Sequence, residues 1–464
     1  MSESSLSLPP QISGVMPSLS MGADLGPPRS ECGIGGLVAW AGKLWAITYL
    51  SHRKQTGTGT GLYEIDENLR MTKRPESYPG TYANRFVHFQ SNQLFLGPWV
   101  IDAQKNVRTI TPLLDIRIAG TAAHLSDPDN KVLFLGMEGE LFEVDVKTLA
   151  VRQLFDLCKE LDTPGEFRAH YKDIYTAFGR VVVADNTYDE KDFKGQASDG
   201  RLAEWDGKTW RILERKPFVC VHGLGEFAKT MFALGWDRCS AILKVFTKDD
   251  ATWRTYRLPK ASHTFDHMWQ TEWPRIRSVE HERLLMDAHG MFYELSPWAY
   301  GNHVWGIRPI STHLWVIPDF CSYRGLLFMG SDNASADGGQ NTLCGEPQSG
   351  VWVGKTDDLW NFGKPKGWGG VWWEDAVVAN EPSDPYLMTG FDQKTLHLSH
   401  DAGQPVRFAI EVDFLGTGAW RKYAEIQVGA EGYAHHEFPP GFSAHWVRVK
   451  SNRDCVASAQ FHYT

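Results

Sequence analysis

Short apolar runs alternate with polar turns along most of the chain. One such phrase is Gly36-Leu37-Val38-Ala39-Trp40, a turn, then Leu44-Trp45-Ala46-Ile47-Thr48-Tyr49. It returns at Asn84-Arg85-Phe86-Val87-His88 before Gln93-Leu94-Phe95-Leu96-Gly97. It returns again at Ala122-Ala123-His124 before Lys131-Val132-Leu133-Phe134-Leu135-Gly136. Further copies run from Ala169 to Asn186, Val221 to Trp236, Arg275 to Leu295 and Thr312 to Asp332, with a looser one from Tyr386 to His400. A repeat of roughly 36–50 residues, each an inner strand, a second apolar strand and a weaker pair, predicts one four-stranded propeller blade per unit. The expected fold is therefore all-β, a seven-bladed β-propeller over 31–404. An irregular lead-in over 1–30 precedes it, and C-terminal strands over 405–464 complete the ring or pack on it. The competing architecture is a β-sandwich, whose strands also recur every ~8–12 residues.

Composition fits this reading. Among 464 residues there are 44 Gly, 19 Trp, 15 Tyr and 24 Phe, suited to short strands joined by tight turns. The formal net charge of -9, with scattered Lys and Arg, offers no footprint for nucleic acid. No apolar run nears the roughly 20 residues that span a bilayer, so neither nucleic acid nor membrane is an expected partner, and a monomer is expected. The opening Met1-Ser2-Glu3-Ser4-Ser5 lacks the basic and apolar regions of a secretory signal, which fits a mature secreted chain or a cytoplasmic one. The seven cysteines, Cys32, Cys158, Cys220, Cys239, Cys321, Cys344 and Cys455, are far apart and odd in number. They read as buried free thiols rather than a disulfide framework. Asn333-Ala334-Ser335 is a lone glycosylation sequon.

In a propeller the inner strands line the axis, so polar residues on them are the candidates for chemistry. His88 and His124 hold similar places in successive inner strands. Arg168-Ala169-His170-Tyr171-Lys172-Asp173-Ile174-Tyr175 fills the corresponding place in the next repeat. His beside Tyr, with Arg nearby, suits proton abstraction next to a carboxylate: a base removes the proton, an acid protonates the leaving oxygen and a cation neutralises the carboxylate. Arg180, Arg238 and Arg275 are the clamp candidates, and Trp236, Trp269 and Trp273 the sugar-stacking ones. A paired-carboxylate hydrolase would draw on Asp185, Asp237 or Asp266. His263 and His267 match a metal-binding spacing numerically, but in a segment read as loop and two ligands short. No metal ligands are therefore assigned, and no cofactor is required, though a structural calcium is compatible.

Several phrases resemble a known family. They are Ala83-Asn84-Arg85-Phe86-Val87-His88 with Gly97-Pro98-Trp99-Val100-Ile101-Asp102, Ala119-Gly120-Thr121-Ala122-Ala123-His124, Tyr175-Thr176-Ala177-Phe178-Gly179-Arg180, Leu284-Leu285-Met286-Asp287-Ala288-His289-Gly290-Met291-Phe292-Tyr293, and Ile317-Pro318-Asp319-Phe320-Cys321. They are similar to the seven-bladed propeller enzymes that remove L-rhamnose caps from arabinogalactan and gum arabic. These include L-rhamnose-α-1,4-D-glucuronate lyases, rhamnosidases classed as hydrolases and, more distantly, ulvan lyases. The resemblance spans Cys32 to Thr464 and implies a polysaccharide lyase that acts on an acidic oligo- or polysaccharide by β-elimination. It places the catalytic His roles at His88 and His124, the Tyr role at Tyr175 or Tyr171, and the carboxylate role at Arg180 or Arg238. Arg168, His170, Trp236 and Arg275 complete the expected substrate contacts. The hydrolase-classed members carry a His on the opposite face, for which only His52 offers itself, and this favours the lyase. An α-L-rhamnosidase on the same linkage and a non-catalytic carbohydrate-binding propeller are the alternatives.

Overall fold

The computed structural model describes residues 14–15, 21–22, 32–50, 60–164, 169–187, 199–262, 272–280, 283–304, 306–333 and 348–464. Inner strands Cys32–Trp40, Arg85–His88, Ile118–Ala123, Tyr171–Ala177, Phe218–Gly223, Arg275–Glu280 and Phe320–Tyr323 touch one another in that order, and the last touches the first. Each begins an antiparallel sheet built outward from the axis. A ring of sheets whose first strands close on themselves is a β-propeller, with seven such sheets among the described residues. Apolar side chains of the second and third strands fill the spaces between sheets, as Leu94, Phe95 and Leu96 do with Val132 and Phe134.

Inner strands approach so closely that some positions admit no side chain. A Cβ on Gly35 would lie 2.0 Å from the Tyr82 carbonyl oxygen, where the chain enters the second blade. The seventh blade takes its outermost strand from the N-terminal segment: Gly14–Val15 pairs antiparallel with Val351–Gly354, Gly14 opposite Val353. Part of the stretch expected as an irregular lead-in thus completes the seventh blade as its fourth strand.

The boundary expected at 404 moves. After Val351–Gly354 the chain leaves the propeller, and from Gly367 onward it builds a β-sandwich. One sheet runs Gly367–Val377, Cys455–Tyr463, Lys394–His400, Tyr433–Glu437. The other runs Tyr386–Leu387, Trp446–Ser451, Val406–Asp413, Arg421–Val428. Leu396, Leu398, Phe408, Ile410, Val449 and Phe461 form its buried interior. The looser repeat at Tyr386 to His400 belongs here, because sandwich and blade strands share one spacing. The second sandwich sheet is continuous with the fifth blade: Tyr386 pairs in parallel with Arg257 on the outer strand Thr252–Leu258.

Candidate functional site

In each blade the inner strand turns tightly into the second strand at one end of the ring. At the other end lie the segments that lead into the inner strands and join second to third strands. His88 and His124 sit at the tight turns, and this decides their role. His88 Nδ1 accepts from the Ser91 N–H at 3.1 Å and its Nε2 donates to the Pro128 carbonyl at 2.7 Å; its ring meets Phe95 edge-on. His124 Nδ1 accepts from the Asp127 N–H at 3.1 Å, and its Nε2 lies 3.3 Å from Glu143. Burial lowers its pKa against the opposing pull of Glu143. His88 staples its turn to the next blade and His124 staples the turn of its own blade, so the expectation that they form a catalytic pair is corrected.

Other expected residues also lie outside the lining of the axial cavity. Tyr171 is buried and bonds to Thr163 Oγ1 at 3.1 Å, its phenol pushed upward by burial. Arg180 pairs with Glu204 at 2.8 Å and lies 4.2 Å over Phe246. Arg238 reaches Asp375 of the sandwich at 3.4 Å, and Trp236 donates to Asn186 at 3.2 Å. Arg275 Nη1 donates to the Val219 and Pro274 carbonyls at 3.0 and 2.9 Å, its ring partner being Trp273 at 4.9 Å. His170 stands 3.9 Å from Glu272, which pairs with the buried Lys172 at 3.1 Å. Arg168, His52, His263, His267, Asp266, Trp269, Cys344 and the sequon residues Ala334 and Ser335 lie outside the described residues.

Of the expected catalytic group, Tyr175 lines the axial cavity, and His88, His124 and Tyr171 do not. This cavity, of about 520 Å³, lies on the axis and takes lining residues from all seven inner strands or their immediate flanks. Side chains two apart on a strand share a face, so Asp173 with Tyr175, and Arg275 with Arg277, point alike. On neighbouring strands stand His222, Arg85 and, beneath the lining, Asp319. The sequence reading did not single out His222, Arg85, Arg277 or Asp319 for chemistry. Their signal is position: a charged or imidazole side chain on an inner strand or immediately before one.

The electrostatics are specific. Asp319 is fully buried. Its Oδ1 accepts from Arg277 Nε at 2.7 Å; its Oδ2 accepts from the Leu37 N–H at 2.7 Å and lies 3.2 Å from Arg85 Nε. Two guanidiniums therefore share one carboxylate. Burial alone would lower both their pKa values, but the nearer carboxylate holds Arg277 raised, whereas Arg85 ends lowered. Arg85 is further tied to the Leu37 and Phe320 carbonyls. Arg277 Nη1 donates to the Ile276 carbonyl at 3.0 Å, and its Nη2 has no hydrogen-bond partner among the described residues. Asp173 is occupied by the N–H groups of Ile174 and Val221 at 2.9 and 3.0 Å.

His222 and Tyr175 lie side by side from adjacent blades, ring centroids 6.2 Å apart. Burial, then Arg277 and Arg85, push the imidazole pKa down to about 3, so it is neutral at pH 7. Its buried Nε2 has no hydrogen-bond partner among the described residues. Burial pushes the Tyr175 phenol up to about 12. Two guanidiniums, a neutral imidazole and a protonated phenol thus meet in one cavity, the groups that anion binding and proton exchange require. Among the described residues no group of three or more His, Cys, Asp or Glu is placed to hold a metal ion.

No family model and no curated protein matches the chain. Among solved structures it is similar to a luciferin-regenerating enzyme at 10% identity and TM-score 0.39, over 75% of this chain and 96% of that one. It is also similar to the β-propeller domain of Cps50 (Swd1) from Myceliophteria thermophila at 10% identity and TM-score 0.42, over 69% and 96%. A third similarity is to the WD40 propeller domain of Doa1, at 10% identity and TM-score 0.40, over 74% and 98%. At such identities and scores the propeller assignment rests on the sheet order and on the closed ring of inner strands.

Proposed function

We propose that the axial cavity takes the uronic acid end of an acidic glycan and that the protein is a polysaccharide lyase, cleaving a terminal L-rhamnose-α-1,4-D-glucuronic acid linkage by β-elimination. The observation that carries this reading is the neighbourhood of Tyr175 and His222 to Arg277 and Arg85 in one cavity. Arg277 and Arg85 neutralise the uronate, which acidifies the C5 proton. Burial is the main cause of the low His222 pKa and the two guanidiniums add to it; the arriving carboxylate offsets the guanidiniums and so raises the basicity of the imidazole. His222 then takes the C5 proton, the C5–H electrons form the C4–C5 double bond, and the C4–O4 bond breaks. Tyr175, held protonated, gives its proton to the departing rhamnose oxygen. The products are free rhamnose and an unsaturated uronate.

The low pKa of His222 also favours a second reading, a propeller that binds the acidic glycan without cleaving it. Incubation with rhamnose-capped arabinogalactan separates the two. Rhamnose release with the ultraviolet absorbance of a conjugated uronate supports elimination. Rhamnose without absorbance means hydrolysis and overturns the lyase, and binding with neither product leaves a recognition module.

A further inference from the structure

A second cavity, of about 280 Å³, lies where the fifth blade meets the sandwich, far around the ring from the axis. Arg254, Thr255 and Tyr256 line it from the blade's outer strand, His303 from the loop before the sixth blade's last strand, and Trp420 and Trp446 from the sandwich. Its aromatic walls are held in place. The Trp446 indole N–H donates to the Val304 carbonyl at 2.8 Å, and the Tyr256 hydroxyl accepts from the Val304 N–H at 3.3 Å. Arg448 lies 4.1 Å over the Trp420 ring and is itself fixed by Glu411 at 2.7 Å. The loop from Asp413 is pinned as well, because that carboxylate accepts from the N–H groups of Leu415, Gly416 and Gly418. Gly418 is needed there: at φ 83°, a Cβ would lie 2.5 Å from the His303 ring.

Rigid rings form the walls, while the Trp420 indole N–H and the His303 imidazole nitrogens have no hydrogen-bond partner among the described residues. Exposed Phe414 and Leu415 follow Asp413, and exposed Tyr300 bridges to His303. Flat apolar surfaces edged by unengaged donors and acceptors match a pyranose, which has an apolar face and a rim of hydroxyls, and preorganised rings lower the entropic cost of holding it. The lining cation, Arg254, is taken up by Asp250, whereas the axial cavity is lined by two guanidiniums, Arg85 and Arg277, that share one carboxylate. We infer that this junction cavity is a second glycan subsite, specific for a neutral sugar residue, which anchors the body of the polymer whose acidic end the axial site takes. The inference rests on the glycan reading above and extends it.

Titration calorimetry of the whole protein with an arabinogalactan oligosaccharide freed of uronic acid tests this directly. Binding is expected, weakened at least ~10-fold in Trp420→Ala and in His303→Ala, and unchanged in Tyr175→Phe. Trp420 is half-exposed, so its removal leaves the interior packed, and an unchanged thermal midpoint verifies it. On polymer, Trp420→Ala raises KM several-fold at constant kcat, with kinetics on a rhamnosyl-glucuronate disaccharide unaffected. No heat from the parent protein, or equal affinity in Trp420→Ala, overturns the subsite. The titration reads this site even if no glycan is cleaved, and cleavage of the disaccharide without oligosaccharide binding removes only this inference.

Discussion

Arg277 Nε donates to Asp319 Oδ1 at 2.7 Å, joining the inner strand of the sixth blade to the start of the seventh beneath the cavity floor. Asp319 also holds Arg85 of the second blade and the backbone of the first, so a single carboxylate links four blades. Asp319→Ala leaves two buried guanidiniums without their counter-charge and is expected to lower unfolding free energy by about 3–5 kcal/mol. Urea titration measures it, and a loss below about 1 kcal/mol would show that the carboxylate is not the keystone.

Tyr175→Phe keeps the ring and His222→Gln keeps a polar side chain of similar length, and each removes one proton-transfer group. Turnover of rhamnose-capped glycan is expected to fall at least ~100-fold in each, with unfolding midpoints near the parent's. Normal turnover in both variants would place the chemistry elsewhere.

His88→Ala should act in the opposite sense. It strands the Pro128 carbonyl and the Ser91 N–H, a change worth about 1–3 kcal/mol of stability. Steady-state kinetics of the folded variant should match the parent, and a large drop in kcat would restore His88 to the site.

Asp185 supplies a pH dependence with a definite sign. It is fully buried with one oxygen unpartnered, and burial pushes its pKa up to about 7. The folded state keeps a proton that the unfolded state releases near the ordinary carboxylate value, so this group's contribution to stability falls as pH rises from about 4 to 7. Asp185→Asn should flatten that limb and leave the variant more stable than the parent at pH 8. Parallel stability curves for the two proteins would refute the assignment.

Much of the ring was legible because its grammar is local. An apolar strand, a polar turn and a second apolar strand ending near Gly, as in Gln93-Leu94-Phe95-Leu96-Gly97, describe a blade wherever it lies in space. The same grammar hid the sandwich, since Lys394–His400 alternates buried and half-buried positions as any strand with one covered face does. Sequence likewise shows that His88 and His124 hold equivalent places but not which end of the ring those places occupy. Tyr175 was readable from its strand. His222, Arg277 and Asp319 gain their meaning only through neighbours 42 or more residues away, such as Asp319 for Arg277, and single-chain spacing carries no record of that.

The pairing of Tyr386 with Arg257 has a consequence for solubility. A propeller blade ordinarily ends in a bare strand whose open N–H and C=O groups invite foreign chains. Here the fifth blade's rim is handed on through the sandwich to Arg421–Val428, where exposed Arg421, Lys422, Glu425 and Gln427 guard the final border. The C-terminal body is thus a built-in chaperone for one margin of the wheel, and a chain ending at Gly354 would expose Thr252–Leu258 as a seed for self-association.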